Sequence, residues 1–127
     1  MVASTLSVQY TAEPDVVRLF GRGTGAATAT LTSIKGKGIA SIARTGVGAH
    51  TITLSDKWQG FLMFSSCILS SAAADDYEVT VLEELVATSK TVKIAIFKGG
   101  TAADLATTDK ILFELVLSKT KQLPAGF

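Results

Sequence analysis

Residues 44–56 read RTGVGAHTITLSD, and the reading of Gly46 and Gly48 in that stretch decides the fold. A phosphate cradle gathers backbone N–H groups at the start of a helix, with a lysine and a hydroxyl following in the form GxxxxGK[ST]. Here Gly48 leads instead into His50, Ile52 and Leu54 on one parity and Thr51, Thr53 and Ser55 on the other, the alternation of a half-buried strand. The glycines therefore read as a hairpin turn, where positive φ is needed. GRGTGAATATL, from Gly21, mimics a dinucleotide fingerprint because it follows the apolar VVRLF. It too is followed by alternation, of Ala and Thr, and no Asp or Glu lies about 20 residues on to hold a ribose. Both glycine clusters are expected to be turns.

The same period of two runs through the chain. TVKIAIFK places Val92, Ile94 and Ile96 together; Val2, Leu6, Val8 and Tyr10 share a parity, as do Ile111, Phe113, Leu115 and Leu117. In GIASIAR, Ile39 and Ile42 have opposite parity, which a β-bulge between them would reconcile. LEELVA alone would pass for helix, but Glu78-Val79-Thr80-Val81 before it favours a strand, and ATSK after it reads as a turn. TAADLATTD, residues 101–109, suggests a helical turn within a loop. The pattern predicts about eight short antiparallel strands, near 2–10, 15–22, 26–33, 38–44, 49–55, 61–70, 77–87 and 91–98, with a further one at 110–118. Turn signals at this spacing indicate an all-β fold, a β-sandwich of jelly-roll-like form. One β domain over residues 1–127 is expected, with Pro14 and Pro124 marking an N-terminal arm (1–14) and a C-terminal tail (120–127).

Composition narrows the function classes. With 47% apolar and 18% charged residues in 127, the chain has the balance of a folded domain rather than a disordered one. The longest uncharged apolar run, Phe61 to Ala74, is too short for a membrane helix and holds four serines, so no membrane partner is expected. No signal peptide is apparent, and synthesis in the cytoplasm follows. Cys67 is the sole cysteine, which excludes an internal disulfide, and its apolar neighbours predict a buried thiol. Net charge is +1, yet no acidic residue lies between Asp15 and Asp56, where Arg18, Arg22, Lys35, Lys37 and Arg44 fall. That basic stretch is a candidate interface for a charged partner or for a sister copy. Its one aromatic, Phe20, reads as core, so the interleaved aromatics of a nucleic-acid binder are missing. Trp58, in SDKWQGF, is the one large aromatic in a loop and completes the candidate interface, either as an anchor or as a cap on the sandwich.

Catalytic chemistry finds little support. His50 is the single histidine, in register with Ile52 and Leu54, and reads as a packed or strand-end residue rather than a catalytic one. Asp75-Asp76 and Glu83-Glu84 are adjacent on strands or loops, point to opposite faces, and read as solvated. No catalytic, metal or cofactor-binding residues are expected, and the chain reads as a non-enzyme.

One resemblance goes further. KGKGIASIARTGVGAHTITLSDKWQGFL, from Lys35, and VTVLEELVATSKTVKIAIFKGGTAADLATTDKILFELVLS, from Val79, resemble small structural proteins of tailed bacteriophages. The shared pattern is Gly-x-Gly before an aliphatic strand, Arg-Thr-Gly-x-Gly, Thr-aliphatic-x-Leu, Ser-Asp and an aromatic, then a hairpin, a Gly-Thr-Ala-Ala-Asp-Leu loop and a strand ending in Leu-Val-Leu. His50 stands where the pattern has an aromatic. The resemblance spans roughly residues 35 to 119 and implies a virion component, most like capsid decoration (cement) proteins. These are compact modules that bind as homo-oligomers, dimers or trimers, on the capsid exterior and clamp neighbouring major capsid proteins. The alternative is a carbohydrate- or receptor-binding β module of a tail fibre or spike, with Trp58 and Tyr77 as its binding aromatics.

Overall fold

The alternation of HTITLS and TVKIAIFK becomes adjacent, fully paired strands in the computed structural model, which describes residues 16–71 and 76–119. The expected strand at 2–10, the arm 1–14 and the tail 120–127 lie outside the described residues. Among the described residues nine strands form: β1 (Val16–Thr24), β2 (Thr32–Lys35), β3 (Ile39–Gly46), β4 (Ala49–Leu54), β5 (Gly60–Leu69), β6 (Tyr77–Leu85), β7 (Thr91–Lys98), β8 (Thr101–Ala102) and β9 (Lys110–Ser118). They make two antiparallel sheets, β2-β1-β9-β5 and β3-β4-β7-β6, with β8 folded back onto β7. No helix occurs among the described residues. The protein is an all-β sandwich of two antiparallel sheets.

The core lies between the sheets because each strand sends alternate residues inward. Ile52 and Leu54 of β4 and Val92, Ile94 and Ile96 of β7 meet Ile111, Phe113, Leu115 and Leu117 of β9, all at most 4% exposed. At roughly 1.5–3 kcal/mol for each large apolar side chain removed from water, this cluster is the main source of stability. The Ile39/Ile42 parity conflict is resolved as expected, by a register shift between Ile39 and Ser41 against β4. LEELVA continues β6 to Leu85, whose carbonyl then accepts the N–H groups of Ser89 and Lys90 to turn the chain.

The opening glycine question is settled at the β3–β4 turn. Gly48 adopts φ +67°, and a Cβ there would collide with the carbonyl oxygens of Ile96 and Ala103. Its N–H donates to Asp104 Oδ1 at 3.0 Å and its carbonyl accepts the Ile96 N–H at 2.8 Å. The Asp104 carboxylate also takes both arms of the Arg44 guanidinium, Nε and Nη2, at 2.9 Å each. Arg-Thr-Gly-x-Gly and the Gly-Thr-Ala-Ala-Asp-Leu loop are thus two halves of one clamp. The helical turn expected within residues 101–109 is reduced to a single turn, closed by Asp109 N–H on the Ala106 carbonyl at 3.0 Å; before it Ala103 N–H donates to Ile96 and the Leu105 carbonyl accepts from Ala27, so no helix develops.

Three further expectations are corrected. The strand at 26–33 is reduced to β2, because Gly25 N–H is drawn to the Asp109 carbonyl and residues 25–31 become a loop whose Leu31 plugs the sandwich end at 4% exposure. Gly21 and Gly23 are not in a turn; they lie inside β1, where the absent side chain of Gly21 makes room for the Phe113 ring. Phe20 is no core residue: its inward neighbours Leu19 and Gly21 turn it outward, leaving it 62% exposed.

Three polar residues are buried among the described residues: Asp109, His50 and Ser118. Asp109, 1% exposed, accepts from Ser71 N–H and from Tyr77 Oη–H at 2.9 Å, tying the start of β9 to the end of β5 and the start of β6. Asp109→Ala orphans these donors and is expected to lower the unfolding free energy by roughly 2–4 kcal/mol in urea titration, with Asp109→Asn losing less. His50, 1% exposed, has neither ring nitrogen bonded among the described residues. Burial holds its pKa below the ordinary 6.5, partly opposed by Asp104 and reinforced by Arg44. The folded protein therefore keeps His50 neutral while the unfolded chain binds a proton, so stability is full above pH 6.5 and falls as pH drops below it. A His50→Phe variant should show a flatter fall in melting temperature from neutral pH to pH 5; parallel curves for the two proteins would contradict the assignment.

Candidate functional site

The two outward faces of the sandwich differ in chemistry. On the sheet β3-β4-β7-β6 the outward positions include Ser41, Thr51, Thr53, Thr80, Glu83 and Lys93, with Glu83 and Lys93 paired at 3.3 Å. β-branched hydroxyl residues suit a solvated pleated surface, and the large exposed apolar residues of this sheet, Leu82 and Leu85, are confined to its edge strand β6. On the sheet β2-β1-β9-β5 the register sends Phe20 of β1, Leu112 and Val116 of β9, and Met63, Cys67 and Leu69 of β5 outward. Phe20, Met63 and Leu69 are 62%, 48% and 52% exposed, while Val116, flanked by Arg18 and Met63, is buried between them. Glu114, between Leu112 and Val116 on the central strand and opposite both Phe20 and Ser65, sets one carboxylate among them, and such a mix of apolar and charged groups is a common form of interaction surface.

The rim is basic. Arg18 and Arg22 alternate with Phe20 along β1, and Arg22 lies directly opposite Lys35 of β2. Two like charges side by side on a sheet repel, and among the described residues neither makes an ion pair. Arg18 is held by Glu114 at 2.7 Å, an exposed contact that salt and solvent weaken. Where β1 meets the β2–β3 connection and the segment after β4, an open cleft of about 580 Å³ is lined by Arg18, Phe20, Lys37, Asp56 and Trp58, with Leu19, Gly38 and Ser55 as its remaining walls. Trp58 packs partly against the core and its buried Nε1–H has no acceptor among the described residues.

Of the six residues singled out in the sequence, the structure brings Arg18, Lys37 and Trp58 around this cleft and sets Arg22 and Lys35 together on the same sheet. Arg44 belongs elsewhere. Its guanidinium is committed to Asp104, which raises its pKa above the ordinary value and holds the Asp104 carboxyl below the usual carboxylate range. Glu84 turns back to the Val86 N–H at 3.3 Å, and the Tyr77 hydroxyl is taken by Asp109. Among the described residues no group of three or more His, Cys, Asp or Glu is placed to hold a metal ion, and no helix is long and apolar enough to cross a membrane.

The outward apolar residues were legible only with the register in hand. FLMFSSCIL carries apolar residues on both parities, and a register shift between Phe61 and Met63 decides which parity faces out. The same shift overturns the expected burial of Cys67, which is exposed, opposite Leu112 on the outer face. Native protein should therefore react with a small thiol reagent within a few-fold of the rate of the unfolded chain; protection by orders of magnitude would contradict this placement.

Comparison of the chain with protein-family profiles, with curated proteins and with solved structures finds no match.

Proposed function

We infer that the protein is a non-enzymatic structural component of a tailed-phage virion, a capsid decoration (cement) protein that attaches to the exterior of the head and stabilises contacts between major capsid proteins. The observation that carries this reading is the outer face of the β2-β1-β9-β5 sheet, which presents Phe20, Met63 and Leu69 together with Arg18, Arg22, Lys35 and Lys37, a basic set that exceeds its one carboxylate among the described residues, Glu114. Such a face fits an acidic, partly apolar protein surface. The resemblance over residues 35–119 supplies the kind of particle.

Small modules gain their effect through multiplicity. Each copy needs only a few kcal/mol of attachment for a lattice of bridged subunits to resist the pressure of packaged DNA. The tail-fibre reading is weaker because one of its two aromatics, Tyr77, is engaged by Asp109 and by Lys98 above its ring, leaving Trp58 alone.

The test is particle stoichiometry combined with attachment. Hundreds of copies per purified particle, and greater loss of DNA on heating when the protein is absent, are expected. Attachment should weaken as salt rises, since the rim charges are exposed. Phe20→Asp should reduce attachment by at least tenfold without lowering the melting temperature. A few dozen copies confined to tails would end the decoration reading and favour the receptor-binding one.

A further inference from the structure

A sheet edge is a row of unpaired N–H and C=O groups, and proteins guard such edges with charge, proline, bulges or brevity. Of the outer strands β2, β5, β3 and β6, three are guarded. β2 has four residues and carries Lys35. β3 is interrupted by two register shifts. β6 carries Glu78, Glu83 and Glu84 and a shift between Val81 and Glu83. β5 is the exception: Gly60–Leu69 contains no charge and no proline, and from Met63 to Leu69 it runs without interruption along β9, with no strand on its other side among the described residues.

Among the described residues the core is also open at this edge. Phe64 and Ile68 point inward and pack on the core cluster, Phe64 stacking on Phe113 at 5.8 Å, yet both remain only half-buried. The sequence of the open run is MFSSCIL, and its pattern is palindromic about Ser66. Self-pairing of a strand about a two-fold axis is favoured by such a pattern, because each residue meets the one equally distant on the other side of the centre.

We propose that two copies of the chain pair antiparallel through the free edge of β5, about a two-fold axis at Ser66. In that register Met63 meets the outward Leu69 of the second copy, inward Phe64 meets Ile68, Ser65 meets Cys67, and Ser66 meets itself. Apolar residues face apolar residues on both sides of the sheet, and small ones lie at the axis. No like charges oppose one another, as they would if β6 were used. The pairing joins two four-stranded sheets into one of eight strands and closes on itself, leaving no further edge of this kind. It also sets two apolar–basic faces side by side on one surface. This dimer specifies the self-association contained in the proposed function, but its test uses purified protein alone.

Sedimentation or light scattering at micromolar concentration should give twice the 13.2 kDa chain mass. Ser66→Lys places two cations on the axis and should yield a monomer with unchanged far-UV circular dichroism. In a Cys67→Ser background, Ser66→Cys should oxidise to a single intermolecular disulfide, since directly opposite Cα atoms in an antiparallel pair lie about 4.5–5.5 Å apart, within disulfide range. A monomer whose β5 amides are protected from hydrogen exchange would overturn the proposal by showing the edge covered within one chain; so would a trimer, or a Ser66→Cys protein that does not cross-link. A monomer that still attaches to shells would remove the dimer and leave the decoration reading intact, whereas a dimer that never attaches would do the reverse.

Discussion

The Asp104 carboxylate holds the sandwich closed at one end. It binds the Arg44 guanidinium through two hydrogen bonds and the Gly48 N–H through a third, fastening the β3–β4 turn to the loop between β8 and β9. Planar guanidinium and carboxylate groups matched in this way are rigid as well as strong, so the contact fixes geometry and not only energy. From it follow the path of residues 103–109, the entry of β9 into the centre of its sheet, and the plug formed by Leu31 and Leu105. The turn glycine is part of the same device, because any side chain at Gly48 would force the two loops apart.

A β9 strand fixed in the centre of the sheet determines what the outside can be. Its inward residues are consumed by the core, and its neighbours β1 and β5 take their register from it over nearly their whole length. That register turns Phe20 and Met63 outward. The interaction face is thus a consequence of core packing: with the inner residues of β9 buried, the same register leaves Phe20 and Met63 on the outer side.

The strands were legible where one face is wet and the other dry, as in His50–Leu54 and Val92–Ile96, because burial imposes a period of two. The bulge at Ala40 was legible for the same reason, from the broken parity of Ile39 and Ile42. ATATLTS misled because its alternation is of small residues, and a single backbone bond from Gly25 to Asp109 outweighs so weak a pattern. In FLMFSSCIL both parities are apolar, so sequence could not tell Phe64 from Met63, nor place Cys67. The basic residues could be found by composition, but their grouping could not: Arg44 differs from Arg22 only in having a carboxylate 60 positions away that the fold brings to it. Asp104 and Asp109 were missed for that reason, since a carboxylate in a polar loop looks the same whether it is solvated or buried.

The central claim is that the outer face of the β2-β1-β9-β5 sheet is the surface that meets the shell. Oxidative footprinting of Phe20 and Met63 on intact particles, against the free protein in the same oligomeric state, tests it most directly. Strong protection of both side chains on particles is the predicted result, with the exposed Leu82 at the opposite sheet's edge unchanged. Equal oxidation of Phe20 and Met63 in the two states, or protection confined to Leu82, would contradict it.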